Sequence, residues 1–327
     1  MKTINEDRKD IIETAFSLGF KGKRFLITGA TGMIGQNLVS ALELITDAKN
    51  IIVFGKDLDE SERVFASRGV VCSSFEHLQE IEGNVDYIVH LASPTNSQFM
   101  SNNPVETIDF MYSSTKTILD FALKHNSKVL YASSMEVFGE VLDEHKKGEQ
   151  NLGYISLCST RSSYSEVKRL CELLCFCYAK EFKLNVYIAR LSQTFGAGTS
   201  IDDPRIFGYI ARCVKNSQDI VLKTKGDSVG NYCYLSDTIR SFFYILANGQ
   251  NGETYNVVGD DNRSTIYDMA CLVADKITDK KIKVLVEIDN NGNYPNATKL
   301  NMSNEKIKNI GWQPKYNLLD MFKRMIG

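Results

Sequence analysis

The chain has 327 residues, 38 basic and 40 acidic side chains, a formal net charge of −2, and 43% apolar and 24% charged residues. These values fit a globular protein with one large α/β domain and a smaller companion lobe, and so mild a charge gives no reason to expect nucleic acid or an anionic membrane as a partner. The longest apolar stretches, 25–28 and 85–92, have strand length and fall far short of a membrane span.

The chain opens Met-Lys-Thr-Ile-Asn-Glu-Asp-Arg-Lys-Asp, too acidic and polar for a secretory signal, which points to the cytoplasm. Residues 7–18 carry Ile11, Ile12, Ala15, Phe16 and Leu18 at helical spacing, an N-terminal helical extension over 1–20. Strands are then expected at 24–28, 50–54, 70–72, 85–91, 128–133 and 185–190, with helical stretches between them. That alternation predicts a Rossmann-type, doubly wound parallel sheet with helices on both faces. From Thr194 the pattern turns irregular, with short strands at 220–223, 254–258 and 282–287. The expected division is a dinucleotide-binding domain over 21–193, rejoined by 227–250, and a mixed α/β substrate lobe over 194–226 and 251–327.

Cys72, Cys158, Cys171, Cys175, Cys177, Cys213, Cys233 and Cys271 are spread along the chain. Cys171 and Cys175 stand one helical turn apart, but neither a histidine nor a second cysteine pair lies at ligand spacing nearby. Reduced core thiols, and no metal, are expected.

Gly29-Ala-Thr31-Gly32-Met33-Ile34-Gly35 follows a strand and opens a helix. Gly29 permits the tight turn, Gly32 lets backbone approach a pyrophosphate, Gly35 allows close helix–strand packing, and the helix N-terminus offers N–H donors to phosphate. The cofactor is therefore NAD or NADP. At the end of the second strand stand Gly55, Lys56 and Asp57. Lys56 suits a 2′-phosphate, Asp57 suits a ribose hydroxyl if the strand end is offset, and solvated loop charge is an equal reading, so the choice stays open.

Tyr164 and Lys168 lie four apart in Arg161-Ser-Ser-Tyr-Ser-Glu-Val-Lys and share one helix face. An ammonium near a phenol favours the phenolate, so Tyr164 is expected to exchange a proton with a sugar hydroxyl, with Lys168 also holding the cofactor ribose. Val129-Leu-Tyr-Ala-Ser133-Ser134 runs into serines at a strand's C-terminal end, where an α/β sheet presents its site, and Ser134 can donate to the same oxygen. His90-Leu91-Ala92-Ser93 ends another strand at that edge and would flank the nicotinamide.

The blocks TGATGMIG, HLASP, SSMEVFG, RSSYSEVKRLCE, ARLSQTFG and YCYLSD, with NIGWQP near the end, resemble the extended short-chain dehydrogenase/reductase family of nucleotide-sugar epimerases, dehydratases and decarboxylases over nearly the whole chain. UDP-glucuronate decarboxylases and dTDP-glucose 4,6-dehydratases are most similar, through Arg161 before the tyrosine and Glu136 after the serine. The resemblance implies Ser134, Tyr164 and Lys168 as the catalytic triad, a nucleotide-sugar substrate, and a homodimer through the helix after Tyr164, with Leu170, Leu173, Leu174, Phe176 and Cys177, although burial against the sheet is an equal reading of that apolar helix.

Three positions depart from the family pattern. A dehydratase has Asp-Glu after its serine or threonine, whereas here the pair is Met135-Glu136. A thioether cannot protonate a leaving hydroxyl, while Glu136 can still act as a base or hold a substrate hydroxyl. The usual diphosphate-gripping arginine, seven residues before Asp237, is Gly230. Arg205, Lys223 and Lys225 are candidate replacements, Gln193 stands for the usual asparagine, and Ser93 and Arg161 complete the expected substrate contacts. The expected activity is hydride transfer at a sugar carbinol by epimerase, dehydratase or decarboxylase chemistry. Net NAD(P)H-dependent reduction of a keto-sugar nucleotide, a CDP-linked one included, is the alternative, and a non-catalytic dinucleotide-binding protein a remote one.

Overall fold

The computed structural model describes residues 2–55, 57–141, 143–289 and 297–327. After helix α1 (Lys2–Ser17), the chain alternates β1 (Phe25–Thr28), α2 (Met33–Leu42), β2 (Ile51–Phe54), α3 (Leu58–Phe65), β3 (Val71–Cys72), β4 (Tyr87–His90), α4 (Ser97–Asn102), α5 (Pro104–His125), β5 (Lys128–Ser134), α6 (Ser162–Glu181) and β6 (Val186–Leu191). It continues through β7 (Gln193–Phe195), α7 (Ile206–Lys215), β8 (Ile220–Leu222), β9 (Val229–Tyr234), α8 (Leu235–Asn248), β10 (Thr254–Val257), β11 (Arg263–Thr265), α9 (Ile266–Ile277), β12 (Val284–Val286), α10 (Glu305–Lys308) and α11 (Leu318–Ile326).

Seven strands form one parallel sheet in the order β10-β6-β5-β4-β1-β2-β3. Successive side chains on a strand go to opposite faces. Phe25 and Ile27 of β1 therefore join one core with α1, α2 and α8, and Leu26 joins the other with α5 and α6. This is the doubly wound Rossmann arrangement, and it aligns the C-terminal ends of β1, β4 and β5 along one edge. Among the described residues, no helix is long and apolar enough to cross a membrane.

A smaller lobe is built from the sheet β11-β9-β7, the pair β12-β8, and helices α7, α9 and α11 around Phe195, Phe207, Tyr232, Met269 and Phe322. Two stretches lie elsewhere than the sequence pattern suggests. In the stretch 227–250, β9 stands in the small-lobe sheet and only α8 returns, laying Ile239, Phe242 and Phe243 on the main sheet. Thr254–Val257, allotted to the smaller lobe, instead pairs in parallel with β6 at the edge of the main sheet. Tyr255, Asn256 and Val257 are all buried, as a strand covered on both faces requires.

Candidate active site

The turn after β1 is shaped by its glycines. Gly29 has φ +66°, and a Cβ there would lie 2.9 Å from the Ala92 nitrogen; a Cβ on Gly35 would lie 2.3 Å from the Gly29 oxygen. Gly32 is the N-cap of α2, and no side chain caps that helix. The N–H groups of its first turn, Met33, Ile34 and Gly35, thus face the loop without a side-chain acceptor. That cradle fits a dinucleotide pyrophosphate. Thr31 completes the loop, its carbonyl accepting from Gln36 Nε2 at 2.6 Å.

The end of β4 is tied to this loop through His90. Ala92 N–H donates to Thr28 Oγ1 at 3.1 Å, and Thr28 Oγ1 meets His90 Nδ1 at 2.7 Å. On the other side, His90 Nε2 meets Thr115 Oγ1 at 3.2 Å, and that hydroxyl donates to the Met111 carbonyl at 2.7 Å. The chain of donors places the ring proton on Nε2. Burial, helped by Lys168, holds the imidazole down at about 3, so it is neutral and structural. Leu91, Ala92 and Ser93 follow directly, at the edge where the phosphate loop ends.

Ser134 ends β5 and accepts the Glu136 N–H at 3.2 Å, which fixes the 3₁₀ turn Met135–Phe138. Tyr164 and Lys168 project from the first turns of α6. Hydrogen bonding from Ser134 and Ser93 acts on the Tyr164 phenol, so the ends of β4 and β5 and the helix do converge. Burial nonetheless dominates and pushes that phenol up to about 12, opposite to the depression expected from a neighbouring ammonium. The reason is geometric. Lys168, 3% exposed, donates to the Ala132 carbonyl at 2.7 Å, and its Nζ lies 5.7 Å from the Tyr164 ring centroid. Burial also lowers Lys168 itself, to about 8.

The residues beneath this site were not evident from the sequence. Glu172, one turn beyond Lys168, accepts from Ser133 Oγ at 2.5 Å and from Arg190 at 2.9 and 2.6 Å. This buried pair links α6, β5 and β6. Arg169 donates to the Val137 and Gly153 carbonyls at 2.9 and 2.7 Å, pinning the loop that leads into α6. Both residues stand in the blocks RSSYSEVKRLCE and ARLSQTFG, but only the fold brings them into contact.

Met135 is 9% exposed and packs with Val137, Phe138, Val258, Leu300 and Met302, away from solvent. Glu136 is exposed to solvent, although many protein atoms surround its carboxyl. Burial raises its carboxyl, and Arg161 opposes that rise. Arg161 is the exposed N-cap residue of α6. Gln193 opens β7 with its Oε1 buried and without a partner. Arg205 is engaged by Asp203 through two bonds of 3.0 and 2.7 Å, and Lys223 pairs with Glu287 at 2.9 Å. A Cβ on Gly230 would lie 2.1 Å from the Tyr232 hydroxyl, so no arginine fits there without displacing that ring. At the end of β2, Asp57 caps α3 by accepting the Glu60 N–H at 2.7 Å, and Lys56 lies outside the described residues.

A phosphate cradle and a Ser–Tyr–Lys cluster on one edge of a seven-stranded parallel sheet define the extended short-chain dehydrogenase/reductase class. The profile of the NAD dependent epimerase/dehydratase family matches residues 25–258, and the chain belongs to that family. It is 28% identical over 302 residues to UDP-glucuronic acid decarboxylase 6 of Arabidopsis thaliana, covering 90% of this chain and 85% of the relative. Among solved structures, the epimerase Mth375 of Methanothermobacter thermautotrophicus matches with a TM-score of 0.80 and 19% identity, over 97% of this chain and 94% of that one. The dTDP-glucose 4,6-dehydratase of Bacillus anthracis, in complex with NAD, matches with a TM-score of 0.74 and 20% identity, over 93% and 96%.

Proposed function

We propose that this enzyme acts on a nucleotide-activated sugar by redox chemistry that starts and ends at the same carbon, and that decarboxylation of a nucleotide-linked uronic acid is its reaction. The observation that carries the choice is Met135, buried in an apolar cluster where a dehydratase needs an acid. Once C4 of a uronic acid is a ketone, the C6 carboxylate belongs to a β-keto acid. It leaves as CO₂, the electron pair passes into the enolate, and C5 then takes a proton. No leaving hydroxyl has to be protonated, so position 135 has no acid to supply. Relatives whose names specify UDP-glucuronic acid decarboxylases support the same reading over net reduction.

Gly29, Thr31, Gly32, Met33, Ile34, Gly35, Leu91, Ala92 and Ser93 would hold the dinucleotide, which when bound would supply the hydride acceptor and donor. Tyr164 takes the proton of the C4 hydroxyl and returns it. With its phenol near 12, it needs the positive charge of Lys168 close by to release that proton at neutral pH. Ser134 orients the phenol and donates to the same oxygen. Glu136, its carboxyl raised by burial, is assigned to move a proton at C5. Ser93, Arg161 and Gln193 are assigned to the sugar, with the unpartnered Gln193 Oε1 available to a hydroxyl. Arg205 and Lys223 are assigned to the diphosphate, which requires them to exchange Asp203 and Glu287 for it. The substrate lies between the sheet edge and the smaller lobe. Eight unpaired cysteines agree with a reducing cytoplasm, and exposed apolar side chains on α5 and α6 agree with a homodimer.

The test is mass spectrometry of products after incubation with UDP-glucuronate and, separately, with UDP-, dTDP-, GDP- and CDP-hexoses. The expected result is a pentose nucleotide from the uronate only, with no net cofactor consumed. Tyr164→Phe should lower that turnover by about a thousandfold or more. Stoichiometric oxidation of NAD(P)H would instead establish a reductase, and a dehydrated hexose would overturn the assignment at Met135.

A further inference from the structure

The end of β2 in this chain has no acidic side chain, and the packing explains why. A Cβ on Gly55 would lie 2.6 Å from Ser61 Oγ and 2.8 Å from Thr31 Cγ2, so a side chain there would have to push both of those side chains from their present positions. The Gly55 N–H donates to Ser61 Oγ at 2.6 Å, and Ser61 Oγ donates to the Asp57 carbonyl at 3.0 Å, which draws the first turn of α3 tightly against the strand end. Asp57 is committed to that turn as its N-cap. The same tight turn carries Glu60 back over the phosphate loop, where Thr31 Oγ1 donates to its carboxylate at 3.2 Å.

We infer that Glu60, delivered from the first turn of α3, is the residue that selects NAD over NADP. The inference rests on the dinucleotide reading of the phosphate loop. Thr31 belongs to that loop, so the carboxylate it holds stands on the adenosine side of the pyrophosphate cradle. A carboxylate there accepts from the ribose diol of NAD. It repels the dianionic 2′-phosphate of NADP. Deleting the strand-end side chain therefore serves a purpose: with Gly55 bare, α3 can approach closely enough for a residue five positions later to reach the loop.

Isothermal titration of NAD⁺ and NADP⁺ into the purified full chain tests this without any turnover. The wild type should bind NAD⁺ at least about tenfold more tightly than NADP⁺. Glu60→Gln should keep the side-chain size and remove the charge, weakening NAD⁺ and bringing the two affinities within about threefold. Thr31→Val, which removes the hydroxyl that holds Glu60, should shift the ratio the same way by less. Circular dichroism of both variants reports on folding, and if one fails to fold the other still gives the ratio. An unchanged ratio in the folded variants, or a wild type that prefers NADP⁺, would overturn the role of Glu60. A wild type that binds neither dinucleotide would instead refute the cofactor reading itself.

Discussion

At the scale of single residues, His90 illustrates a titratable group that burial has removed from acid–base work. It is 2% exposed, bonded at both ring nitrogens, and held at about 3 by burial first and the Lys168 charge second. Its unfolded value is near 6.5, so between about pH 3 and 6.5 the unfolded chain binds more protons than the native one. This residue's contribution to stability therefore rises with pH through that window and is lost on acidification. Asp237 acts in the opposite sense. Burial raises its carboxyl to about 6, so the native state holds the extra proton between about pH 4 and 6. The two effects offset each other in the wild type, which is why a variant is needed to see either. Replacing His90 with Asn keeps a donor and an acceptor but removes the titration. The stability difference between wild type and His90→Asn should fall by about 2 kcal/mol from pH 7 to pH 5, read from urea midpoints. A difference independent of pH would mean that the ring is not buried and neutral.

At the scale of elements, α1 shows what a sequence pattern can and cannot reveal. Its apolar stripe is legible, and Ile11 and Ala15 are indeed buried against α2 and α8. The helix begins at Lys2, within the extension expected over 1–20, and its polar side is fastened by residues 227 to 317 positions away, which no local pattern reveals. Arg324 of α11 donates to Asp7 at 2.7 Å, the Tyr234 hydroxyl donates to Asp7 at 2.5 Å, and Lys315 and Tyr316 donate to Asp10 at 2.6 and 3.0 Å. Tyr234 in turn accepts the Ala197 N–H at 3.3 Å, and Thr199, two residues on, donates to Met33 Sδ at 3.3 Å. The extension thus straps the smaller lobe to α2, the helix that opens at the glycine-rich loop. The same limit applies at the site. Ser134, Tyr164 and Lys168 could be read from strand ends and helix spacing, which are local, whereas the Glu172–Arg190 pair and the Thr31–Glu60 contact exist only once the sheet is assembled. Asp7→Ala removes two charge-assisted bonds and should destabilise the fold by about 2 kcal/mol in urea unfolding. It should also weaken substrate binding more than dinucleotide binding, since the substrate position proposed above spans both lobes and the proposed dinucleotide site does not. Equal losses for the two ligands would mean that the helix supports the Rossmann domain alone.

For the molecule as a whole, α5 and α6 cover one face of the sheet and carry a group of exposed apolar side chains on their outer side. There Val105, 76% exposed, and Leu173, 57% exposed, stand with Ile108, Tyr112, Leu170 and Phe176 on the outer surface of two adjacent helices. Neither helix is fully apolar around its circumference, so simple burial against the sheet accounts for the inner stripes and leaves these outer ones uncovered. A contiguous exposed apolar surface is a common mark of an interaction site. The occupant proposed here is a second copy, because a pair of helices meeting its own symmetry mate closes into an isologous four-helix contact with no surface left over. Such an interface concentrates its energy in a few central side chains. Leu173→Glu places a charge at one of them on both copies at once, so the penalty is doubled by the symmetry. The wild type should sediment as a dimer, and the variant as a monomer with an unchanged circular dichroism spectrum and a dimer dissociation constant raised by about a hundredfold or more. A wild type that sediments as a monomer at micromolar concentration would refute the pairing, and a dimer that survives Leu173→Glu would place the interface on another face.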